Sequence, residues 1–78
     1  MSLTEFVLIQ QDKLQENSHK TGWRDCSVKW LLNRLKQETS ELCKAIKENA
    51  DKEDVQREAA DISNFAYFIA DVYKKEKS

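Results

Sequence analysis

Apolar residues recur along this chain at helical spacing in three segments. Leu3, Phe6, Val7 and Leu14 share the buried side of the first. Val28, Leu31, Leu32, Leu35, Leu42 and Ile46 form the apolar arc of the second, and Ile62, Phe65, Phe68, Ile69 and Val72 that of the third. The first helix opens at Ser2, with Glu5 spaced to complete a capping box, and runs to about Asn17. The connector SHKTGWRD follows, carrying the single glycine, Gly22. A second helix starts near Ser27 and ends near Asn49, with Lys44 and Lys47 suited to the negative end of its dipole. A third starts after Asp51, a good N-cap followed by Glu53 and Asp54, and ends in the lysine-rich tail from Lys74. The short link between the second and third helices folds them back on each other. The expected fold is all-α: an antiparallel helical hairpin plus an N-terminal helix, one domain over residues 1–78.

Four acids break the pattern. ETSEL places Glu38 and Glu41 three residues apart, and REAAD does the same with Glu58 and Asp61. Each pair is centred about ten residues from the turn near Asn49 and Ala50, so at ~1.5 Å per residue both lie roughly 15 Å along the hairpin. Glu38 projects inside the apolar arc of its helix and Glu41 at its edge; Glu58 and Asp61 project into the middle of theirs. Lys36, Lys44, Lys47 and Glu48 stay on the outer face.

A core-facing carboxylate has to be paired, protonated or bound to metal. Four that converge repel one another unless a divalent cation compensates. All-oxygen ligation suits Mg²⁺, with Mn²⁺ as the alternative, and not zinc; magnesium shares itself between carboxylates and phosphates, which makes a polyphosphate the natural ligand. An acid less engaged by metal then orients a water for attack on phosphorus. The competing reading is ordinary intrahelical ion pairing, because Arg34 precedes Glu38 by four residues and Arg57 precedes Asp61 by four. One such acid pair arises by chance; two pairs, level on a hairpin and both facing inward, point to a built site.

Composition narrows the classes. The 78 residues include no proline and carry a net charge of −1, which argues against a large nucleic-acid footprint. No apolar run is long enough to cross a bilayer and no signal-peptide core is present, so the expected compartment is cytoplasmic, with no membrane partner. Cys26 and Cys43 form no CxxC unit and are expected as reduced thiols. A chain this short cannot bury a large core alone, and the run FVLI, Phe6 to Ile9, turns apolar groups to several sides of its helix. A dimer or larger assembly is expected.

WLLNRLKQETSEL followed by REAADISNFAYFIAD resembles the MazG-like all-alpha nucleoside triphosphate pyrophosphohydrolases, whose signature is ExxE, a spacer and ExxD. The likeness covers about Lys13 to Asp71 and includes the lead-in KLQENSHKTGW. It implies magnesium-dependent hydrolysis of a nucleoside or deoxynucleoside triphosphate to the monophosphate and pyrophosphate, as in cleaning of a nucleotide pool. It further implies a homodimer or homotetramer in which subunit helices form a four-helix bundle around each site. Glu38, Glu41, Glu58 and Asp61 are then the metal ligands, with Glu41, at the rim of the arc, also the candidate to orient the nucleophilic water. Asn64, Lys20, Arg24 and Trp23 are candidate substrate contacts, Trp23 by stacking on a base. His19 receives no role, and Asp71 is placed at the polar edge. A phosphoribosyl-ATP pyrophosphatase uses a related fold and carboxylate set, but it needs a basic cluster that the sequence does not display. A non-catalytic helical interaction module is the rival from outside enzymes.

Overall fold

Short polar side chains start the helices. In α1 (Leu3–Glu16) the Glu5 amide donates to Ser2 Oγ at 3.1 Å, and in α2 (Val28–Lys47) the Trp30 amide donates to Ser27 Oγ at 3.1 Å. Each bond satisfies an amide that the helix itself leaves without a partner. In α3 (Lys52–Lys77) the first helical bond runs from the Val55 amide to the Asp51 carbonyl, which makes Asp51 the capping residue. This computed structural model describes residues 1–16 and 23–77; among them are these three helices, a single 3₁₀ turn at Trp23–Asp25, and no strand. No described helix is long and apolar enough to cross a membrane.

The α2–α3 turn is built on Asn49, whose φ of 54° lies in the left-handed region. Its amide donates to the Ile46 carbonyl at 3.2 Å, and the Ala50 amide donates to the Ala45 carbonyl at 3.0 Å. That pair of bonds is a Schellman cap, which closes the orphan carbonyls at the end of α2 and reverses the chain within a few residues.

Contacts across the helices fix their directions. Glu38 meets Glu58 and Asp61, while Arg34, one turn earlier on α2, lies over Phe65, one turn later on α3. The hairpin is therefore antiparallel, as its short link requires. On the other side of α3, Asn64 Nδ2 donates to the Gln10 carbonyl at 3.1 Å, Lys13 pairs with Asp61, and Arg57 pairs with Asp12 and Glu16. Rising numbers on α1 meet falling numbers on α3, so that pair is antiparallel too. The central helix is α3, with α1 and α2 against it.

The interior is small. Leu31, Ala60 and Val72 are the buried apolar residues among those described, joined by polar Glu38 and Asn64. Leu3 and Val7 depart from their expected burial: Leu3 is 77% exposed and Val7 is exposed as well. The stripe of α1 that faces α3 passes through Phe6, Gln10 and Lys13, which turns Val7 about 90° away and leaves Leu3 on an uncovered first turn. Leu32 and Ile46, expected on the inner arc of α2, are likewise exposed, because α3 covers a narrower strip centred on Leu31 and Glu38.

Asn49 gives the fold its most local test. Asn49→Gly should hold stability within about 0.5 kcal/mol of wild type, whereas a β-branched Asn49→Val should lose about 1–2 kcal/mol. Urea unfolding of the two variants measures it, and equal losses would mean that the left-handed turn is not required.

Candidate metal centre

Three of the four predicted acids converge. Glu38 from α2 and Glu58 and Asp61 from α3 each present a carboxylate oxygen, and these oxygens all lie within 4.8 Å of one another. Helical spacing is the cause. Glu58 and Asp61, three apart, share one face of α3, and the Schellman turn sets Glu38 level with them. Glu38 is only 6% exposed, Glu58 and Asp61 are half-buried, and Glu41 is exposed at the rim. Glu41 acts electrostatically on both Glu38 and Glu58, so the fourth acid borders the cluster.

Electrostatics register the crowding. Burial pushes the Glu38 carboxyl up from 4.5 to about 7; the hydrogen bond and charge of Glu41 and the charge of Asp61 add to the rise, and Arg34 opposes it. Burial also raises Glu58, followed by the charges of Glu41 and Asp61, against the pull of Lys13. Two cations answer the acids. Arg34 Nη2 donates to Glu38 Oε1 at 3.1 Å, and Lys13 Nζ lies 3.3 Å from Asp61 Oδ2. The i,i+4 pair of Arg34 with Glu38 is thus formed. Arg57 does not pair with Asp61; it crosses to Asp12 and Glu16 of α1, leaving Asp61 to Lys13. Among the described residues, four carboxylates against these two cations leave two negative charges when all ionise, and Glu58 Oε2 is buried with no hydrogen-bond partner.

This donor set fits a hard divalent cation. Magnesium takes such oxygens at ~2.0–2.1 Å, and three that lie within 4.8 Å of one another could draw together to hold it. The charge left over by Lys13 and Arg34 equals that of one such ion. Glu38, Glu58 and Asp61 would hold it, with Glu41 at the open side.

The candidate substrate contacts lie elsewhere. Asn64 is 5% exposed and its amide nitrogen donates to the Gln10 carbonyl, so it serves the α1–α3 seam. Trp23 stacks on Phe68 with centroids 4.5 Å apart, and the Arg24 guanidinium lies 4.5 Å from its ring centre. Arg24 also approaches Asp71 at 4.0 Å. Phe68 is seven residues beyond Asp61, roughly 10 Å along the helix, so Trp23 and Arg24 stand apart from the acids and cover one another. Lys20 falls outside the described residues. Lys13 was missing from the sequence-based set. Its signal was its place on one face with Phe6 and Gln10 of α1, at spacings of seven and three.

A scan against protein-family models and searches of the curated proteins and of the solved structures give no match to this chain.

The raised carboxyls set a pH dependence with a definite sign. Between 4.5 and about 7 the folded metal-free protein holds a proton on Glu38 that the unfolded chain has released, so stability falls as pH rises through that window. In EDTA, wild type should lose on the order of 2 kcal/mol more than Glu38→Gln between pH 5 and pH 7.5. Urea unfolding at both pH values checks this, and parallel losses would show that Glu38 is not crowded by its neighbours.

Proposed function

We propose that this chain is a magnesium-dependent nucleoside triphosphate pyrophosphohydrolase of the MazG-like kind, cutting a nucleoside or deoxynucleoside triphosphate to the monophosphate and pyrophosphate. The observation that carries the reading is the meeting of Glu38, Glu58 and Asp61 in the α2–α3 seam, with one buried Glu58 oxygen unpartnered. A purely structural cluster would pair its acids fully; here burial and neighbouring acids raise one carboxyl, and among the described residues Arg34 and Lys13 alone answer the four acids.

Magnesium, when bound, would draw the triphosphate to the acids and offset charge that develops on its oxygens. Glu38, Glu58 and Asp61 fix the place from two helices. Glu41, at the wet edge and beside Glu38 and Glu58, orients a water and takes its proton as the water oxygen bonds to phosphorus. The α–β anhydride bond breaks at the attacked phosphorus, and its electron pair stays on the bridging oxygen of the other product, so that nucleoside monophosphate and pyrophosphate separate. Manganese suits the same oxygens.

Surface area supports self-association as part of this reading. A compact monomer of 9.2 kDa exposes about 4,900 Å², whereas this chain exposes 5835 Å². The surplus reflects an elongated arrangement, 41 × 24 × 23 Å, that leaves apolar side chains on the surface. Leu3, Leu8, Trp30 and Ile46 are among the large apolar groups that a second copy would cover, giving the homo-oligomeric helical bundle.

A nucleotide panel that includes phosphoribosyl-ATP, assayed for pyrophosphate with and without Mg²⁺, tests the activity. Release from a nucleoside triphosphate only with Mg²⁺ is expected, and Glu38→Gln, Glu58→Gln and Asp61→Asn should each lower turnover at least 100-fold. Wild-type turnover in these variants would reduce the acids to surface charges.

Melting should rise in millimolar Mg²⁺ over EDTA, because the ion binds the converged acids of the folded state alone. Glu41→Gln should keep more of that rise than Glu58→Gln while losing comparable activity. Light scattering should give a dimer or larger at micromolar concentration; a monomer would remove the assembly from the proposal.

A further inference from the structure

Among the described residues two cations reach the acid cluster, and they are held in different ways. The Arg34 guanidinium donates to Gln37 Oε1 at 2.6 Å and to Glu38 Oε1 at 3.1 Å, and it lies 5.5 Å from the centre of the Phe65 ring. Three groups fix it as part of the hairpin. Lys13 comes from α1, a helix that contributes no acid to the cluster. Its Nζ lies 3.3 Å from Asp61 Oδ2, with the two side chains 16% and 20% exposed. An ammonium is a compact point charge on a flexible four-carbon stem, without the fixed fork that locks an arginine to its partners. Asp61 is therefore claimed from two sides, by a lysine of α1 and by the carboxylates that converge between α2 and α3. Arg57, the other cation of this seam, is engaged by Asp12 and Glu16.

We propose that Lys13 is the resident counter-cation of this centre: it holds Asp61 while no metal is bound, yields that carboxylate as Mg²⁺ loads, and then presents its charge to the phosphates of the bound polyphosphate. The inference rests on reading the acids as a metal centre. Lys13 and a divalent ion draw on the same carboxylate and repel each other at short range, so metal entry and retention of the Lys13–Asp61 pair oppose each other. A triphosphate brings negative charge to the same place, and the displaced ammonium is a ready partner for it. Lys13 transfers no proton in this scheme. It sets the affinity of the site for metal and places positive charge beside the substrate.

The test is calorimetric titration with Mg²⁺ alone, then with inorganic tripolyphosphate on the Mg²⁺-saturated protein, for wild type, Lys13→Met, Lys13→Gln and Lys13→Arg. Melting in EDTA and in Mg²⁺ accompanies both. Lys13→Met and Lys13→Gln should bind Mg²⁺ about tenfold more tightly than wild type and show a larger Mg²⁺-dependent rise in melting temperature. The same two should bind tripolyphosphate about tenfold more weakly. Lys13→Arg, whose fork grips the carboxylate, should bind Mg²⁺ more weakly than wild type and show a smaller Mg²⁺-dependent rise in melting temperature. If the neutral variants lose stability equally in EDTA and in Mg²⁺ with metal affinity unchanged, Lys13 only pins α1 to α3; the inference fails and the metal centre stands. If tripolyphosphate affinity is unchanged, the phosphate role fails. Absence of Mg²⁺ binding in wild type would overturn the metal centre itself, and this inference with it.

Discussion

Every helix of this protein is arranged around like charges that cannot be left alone. Glu38 enters the α2–α3 seam at 6% exposure and meets Glu58 and Asp61 there. A carboxylate taken from water costs several kcal/mol unless charge or hydrogen bonds compensate it. The compensation comes from both neighbours of α3: Arg34 from α2 and Lys13 from α1. The central helix thus presents acids to two partners at once. Burial and the neighbouring acids leave Glu38 raised to about 7, and a Glu58 oxygen is unpaired. A seam built only for stability would place apolar groups at these positions, since well-packed hydrophobic replacements of buried charges are often neutral or better.

The polar seam also explains why the interior is small. Glu38, Asp61, Asn64, Gln10 and Lys13 occupy inward positions that leucine or isoleucine would otherwise fill. Apolar side chains are correspondingly displaced outward, with Leu8 61% and Ile46 58% exposed. The metal centre and the self-association we propose are in this sense linked. Carboxylates in the middle of a short hairpin take interior volume from apolar groups, and those groups then need a second surface to cover them.

Local features were legible in the sequence, and features that depend on how two distant segments meet were less so. Ser2 and Ser27 lie where short-range capping rules put them, and Asp51 takes the backbone position of a cap. The level meeting of Glu38 with Glu58 and Asp61 was also readable, because a short turn ties α2 to α3 and counting residues from it measures distance along both helices. No such count exists between α1 and α3, whose register passes through a longer connector. That is why the partner of Asp61 came out as Lys13 of α1 and not as Arg57 four residues away, and why Asn64 is tied to the Gln10 carbonyl. The inward stripe of α1 is itself half polar, so its apolar residues do not mark the side that α3 covers, and Leu3 and Val7 are exposed.

The choice made by Arg57 shows how such a register is selected. At i,i+4 it could have paired with Asp61 within α3, an exposed-type contact of ~0.3–0.5 kcal/mol. Crossing to Asp12 and Glu16 gives the same guanidinium two carboxylates at once and ties the end of α1 to α3. It also leaves Asp61 to the shorter reach of an ammonium. With Arg57 fixed near Glu16, α1 can pack antiparallel on α3 only with Lys13 one turn further along, opposite Asp61, and Gln10 another turn along, opposite Ser63 and Asn64. The ladder of polar contacts thus sets the sliding position of α1, which a largely apolar interface would leave less defined. The positive charge beside the acid cluster follows from that register.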